Sequence, residues 1–427
     1  MAPRLDRSSS LLIVGGGTFG TSTAFHLAKR GYKNVTVLDR FPPPSEIAAG
    51  NDINKVIRAD YPEPLYANLA TESVEQWRDP NGLYAGLYHR TGWLLVAPEN
   101  GSSLSFIQGS IETSRDRGHP AAKFITPDEV RQTWPAYCGP MEGWKVFHNS
   151  SGGWADARTA LKRMADAAVA KGVKYLCGDA GYVKNLLFDD AGNCLGTRSA
   201  DGNTNFADHV ILAAGAAAGS ILDMEGQLVA KGHTVGHIQL SPDEVEKYRN
   251  VPIIDHFEGG IMFPPQADGI IKIGAVEFVT NRDPKRKGSP SLPRYRCDHP
   301  RDTVPKPVEN RIRAWVRQLT PELAERLWFE TRICWDADMP DFNFLIDNHP
   351  AHEGLSLAVG GSAHGFKFLP VIGKCIVDML EGKLDAQTQQ KWRWRPGLKV
   401  GHVQDPHPLP LIDLNDVPGW GAENAKL

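Results

Sequence analysis

Residues Leu11–Arg40 read LLIVGGGTFGTSTAFHLAKRGYKNVTVLDR. The apolar run Leu11–Val14 suits a buried parallel strand. Thr21–Arg30 carries apolar residues at helical spacing, and Gly31 stands where a helix commonly stops. Val35–Leu38 is a second short apolar strand. Between the first strand and the helix, Gly15, Gly17 and Gly20 fit G-x-G-x-x-G. The first glycine permits the tight turn, the second lets a pyrophosphate approach the backbone, and the third lets the helix pack closely on the sheet. Asp39 ends the second strand about 20 residues on, where a carboxylate takes the ribose hydroxyls. Strand, glycine turn, helix, strand and acid in this order predict a dinucleotide site on a parallel sheet rather than an ordinary turn.

The 427 residues suffice for two or three domains or one large interleaved unit. A hydrophobic content of 41% and a charged content of 23% belong to an ordinary globular protein. A net charge of −3 provides no basic field for nucleic acid. No apolar run of about 18 residues is present, so no membrane span is expected. MAPRLDRSSS has no apolar h-region after its arginines, which argues against a secretory signal. Cys138, Cys177, Cys194, Cys297, Cys334 and Cys375 lack C-x-x-C spacing, so neither a metal site nor a disulfide framework is expected. The terminal Ala425-Lys426-Leu427 is a variant of the S-K-L address read by the peroxisomal import receptor.

Farther along, Ile47–Tyr61 (IAAGNDINKVIRADY) reads as small residues and Asx turns leading into a short helix. Lys55 and Arg58, three apart, would share a face of it. That is either a solvated helix start or a loop wrapping the cofactor with a cation aimed at an anion. Phe206–Gly215 is a buried strand ending in the small pair Ala214-Gly215, where the chain returns to the cofactor. Residues 227–305 are strand-rich, with a hairpin from Gly259 to Val279. Arg282–Arg296, basic and rich in proline and serine, reads as an exposed loop. Leu355–Val359 is another apolar strand, followed by the glycine-rich turn GGSAHGFK and a helix over Ile372–Leu380.

The stretches IVGGGTFGTSTAFHLAKRGY, SEIAAGNDINKVIR, GHTVGHIQLS, IIKIG, TRICWDAD, FLIDNHP, SAHGFKFLP and WRWRPG resemble the fungal fructosyl amino acid oxidases, or amadoriases, within the monomeric sarcosine oxidase group of flavoproteins. The resemblance runs from about Ser9 to about Trp420. It implies an α/β plus α+β architecture: a Rossmann-type FAD-binding domain with an interleaved substrate domain on a mixed, mainly antiparallel sheet. On this reading residues 1–60, 150–225 and 328–390 hold FAD. Residues 61–149 and 226–327 form the substrate domain, and 391–427 wrap the surface.

Besides the three glycines and Asp39, the resemblance implies FAD contacts at Thr18, Phe19, Arg40, Ala49, Gly50, Asn51, Asn54, Lys55, Val56, Val183, Ala214, Gly215, Asp336, Gly361, His364, Gly365, Phe366 and Lys367. It implies a covalent flavin bond at Cys334, which the residues alone would class as a buried core cysteine. Lys272 matches the lysine over the reactive face of the flavin. Its apolar neighbours require the amine to be exposed or paired, since an unpaired buried cation is costly. Lys367 and Arg58 match the two cations for a substrate carboxylate. A helix starting near Lys367 would aim its positive end at the flavin. Arg395 would reach the substrate from the C-terminal segment.

The family's Cys-Asp-Glu run after the lysine is missing. Here Lys272 is followed by Ile273-Gly274-Ala275-Val276-Glu277, and the sugar-binding glutamate sits one residue late. A one-residue slip in a strand turns a side chain to the opposite face unless a bulge restores it.

The resemblance implies a peroxide-forming oxidase of secondary amines that transfers hydride to flavin N5 and reduces O2. Amadori products are its first substrate class. Another N-alkyl amino acid (sarcosine, saccharopine, pipecolate or a secondary-metabolite intermediate) is the alternative. A monomer or weak dimer is expected, located in peroxisomes or else the cytoplasm. A nicotinamide dehydrogenase would leave IIKIG and HGFK unexplained, and a non-enzymatic flavoprotein would bind FAD without being bleached by any amine.

Overall fold

The computed structural model describes residues 5–398, 409–418 and 420. The terminal triplet Ala425–Leu427 lies outside them. Two sheets organise the chain. The first has six strands among the described residues, in the order Leu345–Asn348, Leu355–Val359, His209–Leu212, Ser10–Val14, Asn34–Leu38 and Lys174–Leu176. All its pairings are parallel except that of Leu345–Asn348. Helix Thr18–Lys29 leaves the first strand as the glycine motif predicts and packs against Ala157–Val169 and Ile372–Leu380. With helices covering it, the sheet is buried throughout its centre, so its strands are short and continuously apolar. Leu11, Ile13, Val37, Ile211 and Leu357 are almost completely buried.

The second sheet is mixed and mainly antiparallel, with nine strands among the described residues. Its path runs Phe329–Asp338, Val229–Gln239, Ile270–Thr280, Gly260–Met262, Ile253–His256, Trp93–Pro98, Trp144–Asn149 and Lys123–Ile125, with Ile412–Asp413 on Ile270–Thr280. The sequence partition placed Phe329–Asp338 with the FAD segments. Its ladder to Val229–Gln239, from Val229 opposite Asp338 to His237 opposite Phe329, instead puts it at the edge of this second sheet. Amphipathic helix Lys306–Leu319 buries Val308, Ile312, Trp315 and Val316.

Three local expectations are corrected. Lys55–Ile57 is a strand, not a helix start, because β-branched Val56 and Ile57 pair with Trp154 and Gly153. The α-helix after the HGFK turn begins at Ile372, and Phe366–Phe368 is a single 3-10 turn. The amide at Gly373, in the first turn of that helix, is taken by Ser22 Oγ. The basic loop Arg282–Arg296 is exposed from Arg282 to Gly288, as expected, but residues 291–295 turn inward. Trp335 Nε1 donates to Arg294 O at 2.8 Å, and Tyr295 lies against the glycine-motif cleft. The aromatic in that run folds inward because apolar surface awaits it.

Candidate active site

The glycine motif opens a deep cleft at the carboxyl ends of the parallel strands. Gly15, Gly17, Thr18, Phe19, Asp39, Arg40, Ala49, Gly50, Lys55, Val183, Ala214, Gly215, Asp336, Gly361, Gly365 and Phe366 line it. Gly20 lies behind it, where a Cβ would stand 1.8 Å from Gly15 O. Gly15 has φ +105°, and a Cβ there would meet Ala213 O at 2.5 Å. Buried Asp39 accepts from Gly16 N at 2.7 Å, Phe41 N at 2.8 Å and Ser45 Oγ at 2.6 Å. Burial raises its carboxyl above the ordinary range despite those bonds. Arg40 reaches over the cleft edge to Asp298 with two 2.7 Å hydrogen bonds. Helix Thr18–Lys29 has no side-chain cap and no acid in its first turn. Its free N–H groups therefore suit a pyrophosphate.

A second cavity adjoins the cleft, and Lys55, Asp336, Ala363 and Phe366 line both. Val56, Cys334, His364 and Lys367, read from sequence as cofactor contacts, line this second cavity, as do Arg58 and Lys272. Strand alternation explains part of the set. Along Phe329–Asp338, Arg332, Cys334 and Asp336 share a face, while Trp335 turns to the first cleft. Cys334 Sγ lies 3.9 Å from Ala49 O, and burial raises its thiol pKa.

Lys272 is paired rather than exposed. Its Nζ donates to Asp52 Oδ2 at 2.9 Å and to Asn54 O at 2.6 Å. Asp52 is completely enclosed and also holds Lys55 at 3.1 Å and Arg332 at 2.8 Å. Burial alone would raise Asp52, but the three cations outweigh it and keep the carboxylate well below its ordinary range. Burial brings Lys272 down to about 8, with Asp52 opposing the shift. A second acid, Asp336, also acts on Lys55, but burial pushes it up to about 7, so Asp52 is the strongly ionised carboxylate among the three cations.

Arg58 and Lys367 face the other end. Arg58 lies over the rings of Tyr61 and Trp93 at 4.4 and 4.8 Å and donates Nη1 to Asp60 O. Lys367 donates Nζ to His364 O at 2.8 Å. Burial, reinforced by Arg58, moves Lys367 well below a normal lysine. His364 is fixed by Tyr61 and by Phe342 O. Burial and Lys367 lower its pKa well below the ordinary value, so it is neutral.

Glu277 and Arg395 are not in the cavity. A bulge does interrupt the strand there: Ala275, Val276 and Glu277 lie opposite the single residue Thr234, between the pairs Gly274–Val235 and Phe278–His233. Two extra residues preserve parity. Lys272, Gly274 and Val276 therefore face the cavity, while Glu277 faces away and pairs with Arg311. Arg395 is a structural clamp. It binds Asp341 through Nε and Nη2, both at 3.0 Å, and donates to Phe344 O and Arg393 O.

Asn51 is also off the lining, bonded through Nδ2 to Pro44 O and Ser45 O. Asn54, expected at the cofactor, lines neither cavity; it is buried, and neither of its amide atoms has a partner among the described residues. Sequence reasoning missed Asp52 as the lysine's partner and missed Asp255. The latter's only sequence signal is an acid inside the apolar run Ile253-Ile254-Asp255-His256-Phe257.

The family of FAD dependent oxidoreductases matches residues 10–379, and the chain belongs to it. L-saccharopine oxidase of Schizosaccharomyces pombe is 31% identical over 96% of this chain and 98% of its own. Monomeric sarcosine oxidase of Bacillus sp. (strain B-0618) is 25% identical over 91% and 96%. The solved fructosamine oxidase of Aspergillus fumigatus (Amadoriase II) superposes with a TM-score of 0.86 and 37% identity, covering 97% of each chain. The protein is an FAD-dependent amine oxidase of the amadoriase and sarcosine oxidase type, acting on secondary amines.

The cleft fits FAD. Side chains at Gly15 and Gly50 would fill it or strike its wall, and the helix N-terminus is uncapped.

Proposed function

We propose that the substrate is an N-alkyl amino acid, with its carboxylate on Arg58 and Lys367 and its N-substituent along Gly274–Val276. The reading rests on the strand alternation, left unchanged by the two-residue bulge, that turns Glu277 to Arg311 and leaves an apolar wall with Ile261 and Phe263. A sugar's hydroxyls would lose water there without recovering hydrogen bonds. FAD, when bound, supplies a two-electron acceptor that O2 empties to give peroxide. The protein's part is orientation and charge. Arg58 and Lys367 present charge-assisted donors to a carboxylate. The aromatic walls exclude water. Lys272, held by Asp52, keeps a positive charge at the opposite wall.

Amadori products form the second reading. The polar groups of His233, Thr234 and Asp255 on the cavity wall favour it, as does the 37% identity to a fructosamine oxidase. Anaerobic flavin bleaching by saccharopine, sarcosine, pipecolate, fructosyl-valine and fructosyl-lysine separates the two. The expected result is kcat/KM for an N-alkyl amino acid at least about tenfold above either fructosyl substrate, the size of one lost hydrogen-bonding site. The reverse order would establish the second reading.

Buried Cys334 supports a covalent link to FAD. Acid-denatured wild type should retain its yellow colour, and Cys334→Ala should release it. Ala425-Lys426-Leu427 is proposed as a peroxisomal address. Deleting it should leave the protein in the cytosol.

A further inference from the structure

Asp255 is a buried acid in the substrate cavity that neither the glycine motif nor the lysine wall uses. It sits on strand Ile253–His256, between Trp93–Pro98 and Gly260–Met262, neither of which carries a titratable group. Its neighbour His256 turns to the other face, against Trp144. Asp255 is 93% buried by its 7% exposure, and its Oδ1 has no hydrogen-bond partner among the described residues. The charged groups acting on it are Arg58 and Lys367, each from another element. Arg58 gives Nη1 to Asp60 O and Lys367 gives Nζ to His364 O rather than to Asp255. Tyr61 and neutral His364 complete that end of the cavity.

A guanidinium has five N–H donors and an ammonium three. One bond accounts for only a fraction of each. Two cations with unspent donors and one carboxylate with an unspent acceptor thus face a common space. The molecule complementary to all three carries both an anionic and a cationic group. We propose that Asp255 is the site for the substrate's nitrogen: it accepts a hydrogen bond from the ammonium of an amino acid whose carboxylate lies on Arg58 and Lys367, and takes its proton. The step balances as R2NH2⁺ plus Asp255 carboxylate giving R2NH plus Asp255 carboxylic acid, with no electron transferred. It leaves the nitrogen lone pair free, as oxidation of the adjacent C–H requires. Burial, which brings the Asp255 carboxyl up to about 7, matches it to that exchange. The carboxylate placement rests on the proposed function above, whereas the nitrogen site is tested apart from it.

Two probes of the same shape carry no oxidisable C–H beside nitrogen. They are 2-aminoisobutyrate and pivalate, in which a methyl group replaces the ammonium. Calorimetry on the holoenzyme measures both. Wild type should bind 2-aminoisobutyrate the more tightly. Asp255→Asn should weaken it about tenfold, the loss of one charged hydrogen bond. Pivalate should be unchanged or tighter, since a repelling carboxylate is gone. Loss of both probes in parallel would make Asp255 merely structural and overturn the proposal, as would no change in either. Equal wild-type affinity for the two, or binding of neither, would overturn it as well. Arg58→Ala separates the readings: if it weakens neither probe, the carboxylate placement fails while the Asp255 result stands on its own.

Should Asp255→Asn fail to fold, wild type decides through pH. The ratio of 2-aminoisobutyrate to pivalate affinity must rise as pH passes through about 7. The ratio cancels the titration of Lys367, which affects both probes alike. A flat ratio would overturn the proposal.

Discussion

The two adjoining cavities were built under different rules. The cofactor cleft is made by backbone: glycines that admit no Cβ, an uncapped helix end and one acid at a strand terminus. The substrate cavity is made by side chains from distant segments, with Arg58 after one strand, Asp255 and Lys272 on two others, and Lys367 on a 3-10 turn. Backbone requirements leave local sequence signatures. A constellation of side chains leaves none until the fold has assembled it.

Substitutions should therefore act all-or-none in the first cavity and by degrees in the second. The largest effect is expected for Gly20→Val, whose Cβ would strike Gly15 O. The variant should hold no FAD in an absorbance spectrum, or lose about 4 kcal/mol or more of stability. Normal flavin content would break the contrast.

Lys272→Met comes next. Removal of a preorganised charge should slow peroxide formation about 100-fold. Lys272 is cationic below about 8 and loses its charge as pH rises through that value. The oxygen reaction of wild type should fall across that window in stopped-flow traces, while the variant stays flat. Arg58→Ala should cost about 3 kcal/mol of transition-state binding, roughly 100-fold in kcat/KM, with flavin content intact. A parallel loss of flavin would merge the two cavities into one cooperative unit.

Smaller effects sharpen the boundary. Arg395→Ala should lower unfolding free energy by about 3 kcal/mol, because it strands Asp341, yet leave KM within about twofold. Urea titration and steady-state kinetics on the same sample check both. Glu277→Ala should change kcat/KM by less than about twofold, since an exposed pair with Arg311 contributes little. A large loss would return Glu277 to the substrate.

The residues that moved between sequence and structure moved for identifiable reasons. Arg395 was read toward the substrate because WRWRPG sits among site motifs, but Asp341 and two carbonyls claim its donors first. Lys55 was placed on a helix because Asn and Asp precede it. Those residues form the turn, and the β-branched pair after it joins a small sheet. Whether a bulge would restore Glu277 depends on its length, and that exists only once two strands are in register; with two extra residues it restores nothing. Lys272 was legible as a lysine that must be either exposed or paired, yet its partner Asp52 lies 220 residues earlier and could not be named.

What the sequence determined by itself is the parallel sheet, the glycine cleft, the acid at its edge and the class of cofactor. Each follows from constraints between residues close in the chain: hydrophobic runs, φ available only to glycine, helix starts and stops. The tertiary structure alone decided which charges meet. Asp52 gathers three cations from three segments, Asp255 faces Arg58 and Lys367, and Glu277 is turned away. Charge pairing depends on distances set by long-range strand registers and by burial, and neither is encoded within any single stretch.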